Sequence, residues 1–197
     1  MNKQSFAHLD SGNVEYYTPP NIIEAARKTL GVITLDPASS AVANARVRAI
    51  AYYSPELGLD GLAEPWFGTV WLNHPFSKGE KQCKKICNKE KCRERGHHID
   101  TDIPGNAEWV NRLVTAYVTK EIESACCITW ANMSEKWFSP LLEYPHCIPY
   151  GRVHYYKPDG EQTNSANKGS VITYLGRDIP AFIQAFQAVG KVYMPVS

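Results

Sequence analysis

Apolar residues along the chain fall into short runs separated by polar, glycine- and proline-rich punctuation, and those runs predict most of the secondary structure. Thr69-Val70-Trp71-Leu72 and Ser124-Ala125-Cys126-Cys127-Ile128-Thr129-Trp130 are continuous, β-branched or aromatic, and too short for buried helices. They predict strands covered on both faces. Val32-Ile33-Thr34-Leu35, Ala49-Ile50-Ala51-Tyr52-Tyr53, Cys147-Ile148-Pro149-Tyr150 and Val171-Ile172-Thr173-Tyr174-Leu175 predict further strands, and Gly151–Tyr156 has strand-like alternation. Helical periodicity is present in Asn21–Leu30 (Ile22, Ile23, Ala26 and Leu30 on one face, with Gly31 as the stop). It recurs in 106–120 through Trp109, Val110, Leu113, Val114 and Tyr117. Short helices are also expected over Ala41–Val47, from Ser134 to Leu142, and from Ile179 to Val189; Thr18 is placed to cap the first helix. Strands alternating with helices predict an α/β fold, one sheet with helices on both faces. Residues 1–13 form a polar arm, residues 14–197 a single domain, and 157–169, rich in Gly, Asn, Asp and Ser, a loop.

Composition narrows this picture only slightly. With 197 residues, 44% hydrophobic and 21% charged, the chain is long enough for one full core. A net charge of +1 means that any surface for a polyanion must be local. No apolar run reaches the roughly 20 residues of a membrane span, and the N-terminus lacks a signal-peptide pattern, so a soluble intracellular protein is expected.

The candidate chemistry begins where the Thr69–Leu72 strand delivers Asn73-His74-Pro75-Phe76 at its carboxyl end. The Asn73 side-chain oxygen and the backbone carbonyl of His74 can accept both hydrogens of an exocyclic amine, while Phe76 stacks on the ring that bears it. Drawing on both hydrogens raises electron density on a nitrogen whose lone pair is otherwise conjugated into the ring. An ordinary strand-to-loop turn accounts for the same tetrapeptide. Earlier in the chain, Asp36-Pro37-Ala38-Ser39 follows another strand, where an open α/β sheet places its ligands, but no Gly-rich loop accompanies it. Asp60, between Gly58 and Gly61, suits a turn in which it bonds its own backbone.

Taken in order, Tyr16-Tyr17-Thr18-Pro19-Pro20, Leu35-Asp36-Pro37-Ala38-Ser39, Asp60-Gly61-Leu62 and Asn73-His74-Pro75-Phe76-Ser77 resemble the phage-type DNA adenine-N6-methyltransferase family, from about Glu15 to Ser77. In that family the catalytic tip has Pro where this chain has His74, and Tyr where it has Phe76. The resemblance implies a Rossmann-like methyltransferase sheet that binds S-adenosylmethionine. Tyr17, Thr18, Asp36 and Pro37 would line the cofactor site, Asp60 would meet the cofactor's adenine amine, and Asn73, His74, Pro75 and Phe76 would hold a flipped adenine in DNA. It also implies a phage or prophage origin and hence the cytoplasm of a bacterial host. Rival readings are the same fold acting on RNA adenine, cytosine N4 or protein glutamine, and a zinc-bearing nucleic-acid-binding protein without catalysis.

Residues 78–104 interrupt the α/β pattern as a Lys- and Cys-rich insertion directly after the tip. Cys83, Cys87 and Cys92 with His97 or His98 supply the donors of a tetrahedral zinc site, and metal ligation would provide folding energy that so polar a stretch lacks. Free thiols on a basic loop are the alternative. Lys84, Lys85, Lys89, Lys91, Arg93 and Arg95 around these cysteines, and Arg152 and His154 alternating with aromatics, are the candidates for DNA phosphate contacts. Cys126 and Cys127 are expected as small core side chains.

Overall fold

The structure, a computed structural model, describes residues 16–157, 160–163 and 168–196. The arm at 1–13 lies outside the described residues, as do 158–159 and 164–167 of the loop expected over 157–169. The sheet has seven strands: β1 (Leu35–Asp36), β2 (Ala51–Tyr52), β3 (Thr69–Leu72), β4 (Ser124–Trp130), β5 (His146–Pro149), β6 (Ser170–Leu175) and β7 (Gly190–Tyr193). Their spatial order is β2-β1-β3-β4-β6-β5-β7. The first four run parallel, while β6 pairs antiparallel with both β4 and β5, and β7 pairs antiparallel with β5. The α/β expectation therefore holds, with a mixed sheet.

Alternation along the strands divides the core into two layers. Trp71 of β3, Cys126 and Ile128 of β4, and Ile172 and Tyr174 of β6 pack on one face, beneath α1 (Pro20–Leu30), α2 (Ala41–Val47) and α5 (Ile179–Phe186). Val70, Leu72, Ala125, Cys127, Val171 and Leu175 point the other way, toward Trp109, Val110, Leu113 and Ala116 of α4 (Asn106–Val118). Cys126 and Cys127 thus enter opposite layers as fully buried thiols, the core role their sequence suggests.

Several local expectations are corrected. Thr18 does not cap α1; Pro19 does, its carbonyl accepting the N–H groups of Ile22 and Ile23 at 3.1 and 3.3 Å. The helix expected from Ser134 to Leu142 is a run of turns ending in a 3-10 turn at Ser139–Leu141, because Pro140 cannot donate within a helix. Gly151–Tyr156 is extended, but its only ladder contact among the described residues is Tyr156, which bridges Tyr17 and Gln162. The last helix stops at Phe186, leaving Gly190–Tyr193 to form β7. At Gly190 a Cβ would lie 2.1 Å from the carbonyl oxygen of Ile148, so this strand pairing requires glycine. No helix among the described residues is long and apolar enough to cross a membrane.

Topology also marks where a sheet of this kind would hold a ligand. From β1 the chain crosses through α2 to β2 on one side, whereas β3 lies against β1 on the other. The direction of winding reverses between β1 and β3, and open α/β sheets bind ligands outside the strand carboxyl ends at such a reversal. Those ends are Asp36 and Asn73.

Candidate active site and metal centre

Leu35 pairs with Val70, so Asn73 lies two residues beyond the level of Asp36 on the neighbouring strand, about 8 Å away for ordinary strand spacing. The segment before α1 is bonded to the Asn73 end. The Tyr16 carbonyl accepts a 3.2 Å hydrogen bond from Nδ2 of Asn73. Tyr17 and Tyr156 exchange backbone hydrogen bonds of 2.8 and 2.9 Å, and the Arg46 guanidinium covers both rings, 5.7 Å from the Tyr17 centroid and 4.7 Å from that of Tyr156. With Nδ2 pinned, the Asn73 amide turns its oxygen away from Tyr16, and among the described residues nothing donates to Oδ1 or to the carbonyl of His74. Both acceptors foreseen for an amine are therefore open.

His74 has a role that its sequence did not reveal. Its side chain is only 2% exposed, stacked on Trp109 (6.2 Å between centroids) and edge-on to Phe76 (5.4 Å). Nε2 lies 3.0 Å from Oδ1 of Asn106, the first residue of α4, so Nε2 carries the hydrogen and donates it. Nδ1 is then an acceptor, buried and without a partner among the described residues. Burial depresses the imidazole pKa to about 4, partly opposed by the Asn106 bond, so the ring is neutral at physiological pH. His74 thus fastens the tip to α4 through its side chain while leaving its backbone carbonyl free. Phe76 is half-buried in an aromatic group with Trp130, at the carboxyl end of β4 (4.7 Å), and Tyr155 (6.3 Å). Pro75 is exposed.

On the β1 side, Asp36 is buried to 2% exposure with little to compensate its charge. Desolvation raises its pKa to about 7, although the Ser39 hydroxyl and the Ala38 N–H, 3.4 Å from Oδ1, oppose the shift. Thr18 is also buried, and its hydroxyl has no partner among the described residues. The turn bearing Asp60 rests on this loop. A Cβ at Gly61 would lie 1.7 Å from the carbonyl oxygen of Pro37, so only glycine permits the approach. Asp60 itself is exposed and accepts from the Leu62 N–H at 2.9 Å, the self-bonded turn its sequence suggests; no partner among the described residues engages its other oxygen. All the tip and cofactor candidates therefore belong to segments that converge on the reversal between β1 and β3.

The insertion is an ordered ribbon rooted at this site. Gly79 and Gly105 cross at its base, where a Cβ on Gly105 would lie 2.3 Å from the Gly79 nitrogen. Just outside the crossing, the Asn106 N–H donates to the Ser77 carbonyl at 2.8 Å. Within it, Glu80 and Ile103 exchange hydrogen bonds of 2.9 and 2.8 Å, and Cys83 donates to the Ile99 carbonyl at 2.8 Å. Beyond lies a short helix, α3 (Glu90–Arg95), which carries Cys92.

Cys83, Cys87, Cys92 and His98 bring their ligand atoms within 4.8 Å of one another. Sγ of Cys92 lies 3.4 Å from that of Cys83 and 3.6 Å from that of Cys87, near the roughly 3.8 Å edge of a tetrahedron with 2.3 Å metal–sulfur bonds. This group could hold a metal ion. His97, the other imidazole considered, is exposed and outside the group.

The basic candidates divide by orientation. Arg95 pairs with Glu80 at 3.2 Å and approaches Sγ of Cys92 at 3.6 Å, and Lys89 binds Glu80 and the Lys81 carbonyl. Lys84, Lys85, Lys91 and Arg93 are exposed and have no acidic partner among the described residues. Arg152 and His154 are also exposed, between buried Val153 and Tyr155, with the His154 ring 3.0 Å from the Thr163 carbonyl.

Sequence reasoning missed Asn106, Trp130 and Tyr155 as parts of the site. Trp130 carried a usable signal, since it ends a strand parallel to the one that delivers Asn73. No local pattern pointed to Asn106. Comparison with protein-family models, curated proteins and solved structures returns no match for this chain.

Proposed function

We propose that the chain is a Rossmann-like methyltransferase that transfers a methyl group from S-adenosylmethionine to the N6 amine of adenine in DNA, with the base turned out of the duplex. The observation that carries this reading is the state of Asn73. It stands at the sheet's reversal point with its nitrogen tied to Tyr16 and its oxygen, like the His74 carbonyl, awaiting a donor. Two unbonded acceptors on consecutive residues match the two hydrogens of a planar amine, and the exposed part of Phe76 supplies a ring face for the base and for positive charge developing on nitrogen.

The cofactor, when bound, supplies a methyl group already activated on a sulfonium. The residues that would hold it are Tyr17, Thr18, Asp36, Pro37 and Asp60. A buried hydroxyl without a partner and a buried carboxyl short of donors fit a ligand bearing an ammonium and ribose hydroxyls. Asn73 and His74 orient the amine, and Trp130 and Tyr155 fix the plane of Phe76.

Asn73→Ala should lower methyl transfer about 10²- to 10³-fold, as for loss of one aligned hydrogen-bonding group, and leave cofactor affinity within about twofold. The assay is labelled-methyl transfer to DNA, RNA and protein in parallel, beside calorimetric titration of cofactor. Equal loss of transfer and cofactor binding, or wild-type transfer only to RNA or protein, would overturn the reading.

The same reading places one zinc ion on Cys83, Cys87, Cys92 and His98, since three thiols and an imidazole are a donor set that zinc favours. Elemental analysis of protein purified without chelator should give about one zinc per chain, lost in Cys87→Ser and retained in His97→Ala. Protein free of metal would refute this.

A further inference from the structure

The ribbon ends in an arrangement that neither methyl transfer nor metal binding uses. Ile86 is 87% exposed, the most exposed isoleucine among the described residues. It is preceded by Lys84 and Lys85 and followed by a metal-candidate cysteine, with Lys91 and Arg93 exposed on the adjoining helix. Residues 84–95 hold six basic and two acidic side chains, in a chain whose net charge is only +1. Two of the six, Lys89 and Arg95, are consumed internally by Glu80, which leaves Lys84, Lys85, Lys91 and Arg93 facing solvent on the same ribbon as Ile86.

An exposed aliphatic side chain on a ribbon that carries unpaired cations and is braced at its base matches the wedges that nucleic-acid-binding proteins press between base steps while lysine and arginine hold the flanking phosphates. Its place in the fold matters as much as its chemistry. The ribbon leaves the sheet immediately after Asn73–Ser77 and returns immediately before Asn106, so whatever it grips is held beside the proposed base pocket.

We propose that residues 79–105 are a DNA-contacting arm in which Lys84, Lys85, Lys91 and Arg93 bind backbone phosphates and Ile86 enters the base stack, occupying the space from which the target base departs. This rests on the reading of the chain as a DNA methyltransferase. The arm supplies duplex grip and stack opening; the Asn73 tip holds the base once it is out. Metal ligation, by fixing Cys83, Cys87 and Cys92 together, gives Ile86 a rigid base to push from.

The test uses full-length zinc-loaded protein and anisotropy titrations on a mixed-sequence DNA duplex, on the same duplex carrying a short central mismatch bubble, and on the matching RNA duplex. Lys84→Gln/Lys85→Gln should reduce the magnitude of the log affinity against log salt slope by about 1.8, for two lost phosphate contacts, which is on the order of 60-fold in affinity at 0.1 M salt. Ile86→Ala should leave that slope unchanged and weaken binding to the paired duplex roughly tenfold, with less than twofold effect on the bubble, where the stack is already open. Unchanged zinc content and melting temperature in each variant establish that the arm is intact.

A slope unaltered by the double lysine substitution overturns the arm. An Ile86→Ala penalty of equal size on paired and bubbled DNA overturns the wedge. Equal affinity and equal losses on duplex RNA overturn DNA as its partner. Methyl transfer is scored separately: transfer to DNA that is indifferent to the lysines and Ile86 defeats the arm alone, and binding with these signatures in a protein that transfers nothing defeats the catalytic reading alone.

Discussion

Asp36→Asn should make the ligand-free protein more stable at neutral and alkaline pH, and the gain should grow with pH in a defined window. The wild-type carboxyl is buried among groups that donate little to it, which raises its pKa from 3.8 to about 7. The folded state therefore keeps its proton over a range in which the unfolded chain has released it. Because the native state then binds more protons, stability falls as pH rises from about 4 to about 7 and is level above that. At 1.36 kcal/mol per pKa unit, the loss is roughly 4 kcal/mol by pH 7. Asparagine is close in shape to the protonated carboxyl and does not titrate. The stability of the variant minus that of wild type should be nearly constant below pH 4, climb through the window, and level off about 4 kcal/mol higher. For a chain of this size that corresponds to roughly 8–16 °C in melting temperature.

Working with the difference removes the opposing contribution of His74 and His146. Burial depresses both imidazoles from 6.5 to about 4, so each contributes stability that is present above pH 6.5 and lost as pH falls toward 4, equally in both proteins. Urea denaturation across pH 4–8 reads the quantity directly. A difference independent of pH would refute the claim that Asp36 is buried without compensation, and with it the argument that this carboxyl is kept for a ligand. The same variant should bind cofactor more weakly, because the ligand that would offset the charge loses its partner.

Two further outcomes test how the site is held. Asn106→Ala leaves the buried Nε2–H of His74 without an acceptor and should cost about 1–3 kcal/mol by thermal melting, with methyl transfer falling more than cofactor affinity; an unchanged melting temperature would mean that His74 does not depend on this bond. Gly61→Ala drives a methyl group into the Pro37 carbonyl, so cofactor affinity measured by calorimetry should drop at least tenfold with a stability loss on the order of 3 kcal/mol, and wild-type values for both would disprove the packing of the Asp60 turn on the Asp36 loop.

The parts of the fold legible from sequence were those whose local preference and burial agree. Thr69–Leu72 and Ser124–Trp130 form strands over those same residues because each is apolar on both faces and both faces are covered. Val32–Leu35 was expected as a strand, and the ladder is narrower, Leu35–Asp36, although Ile33 and Thr34 still accept from Ile50 and Ala51. Trp137, Phe138, Leu141 and Leu142 are spaced as in a helix, but Pro140 breaks the bonding that periodicity alone cannot weigh. The helix over Glu90–Arg95 is polar on every side and so left no apolar trace; its Cys92 is buried against Cys83 and Cys87 instead. At the site, Asn73, Asp36 and the cysteines could be singled out by residue type and position at a strand end or in a cluster. The choice of His98 over His97, and the bond between His74 and Asn106, depend on contacts between segments and had no local signature.

His74 also explains how this tip can do without the first proline of the motif it resembles. A proline there would stiffen the turn from within, by fixing its own φ, and would offer α4 no side-chain hydrogen bond. Here the turn is fixed from outside: the imidazole is buried on Trp109 and bonded to Asn106, and the neighbouring Ser77 carbonyl accepts from the Asn106 backbone. One residue at the start of α4 therefore holds the tip twice, at His74 and at Ser77, and it stands just outside the Gly79–Gly105 crossing from which the ribbon extends. Because both bonds lie on the sheet side of that crossing, the tip keeps its geometry through contacts that do not pass through the cysteines. A metal ion held by the cysteines would then steady the ribbon, while Asn106 steadies the tip, and the two can fail independently.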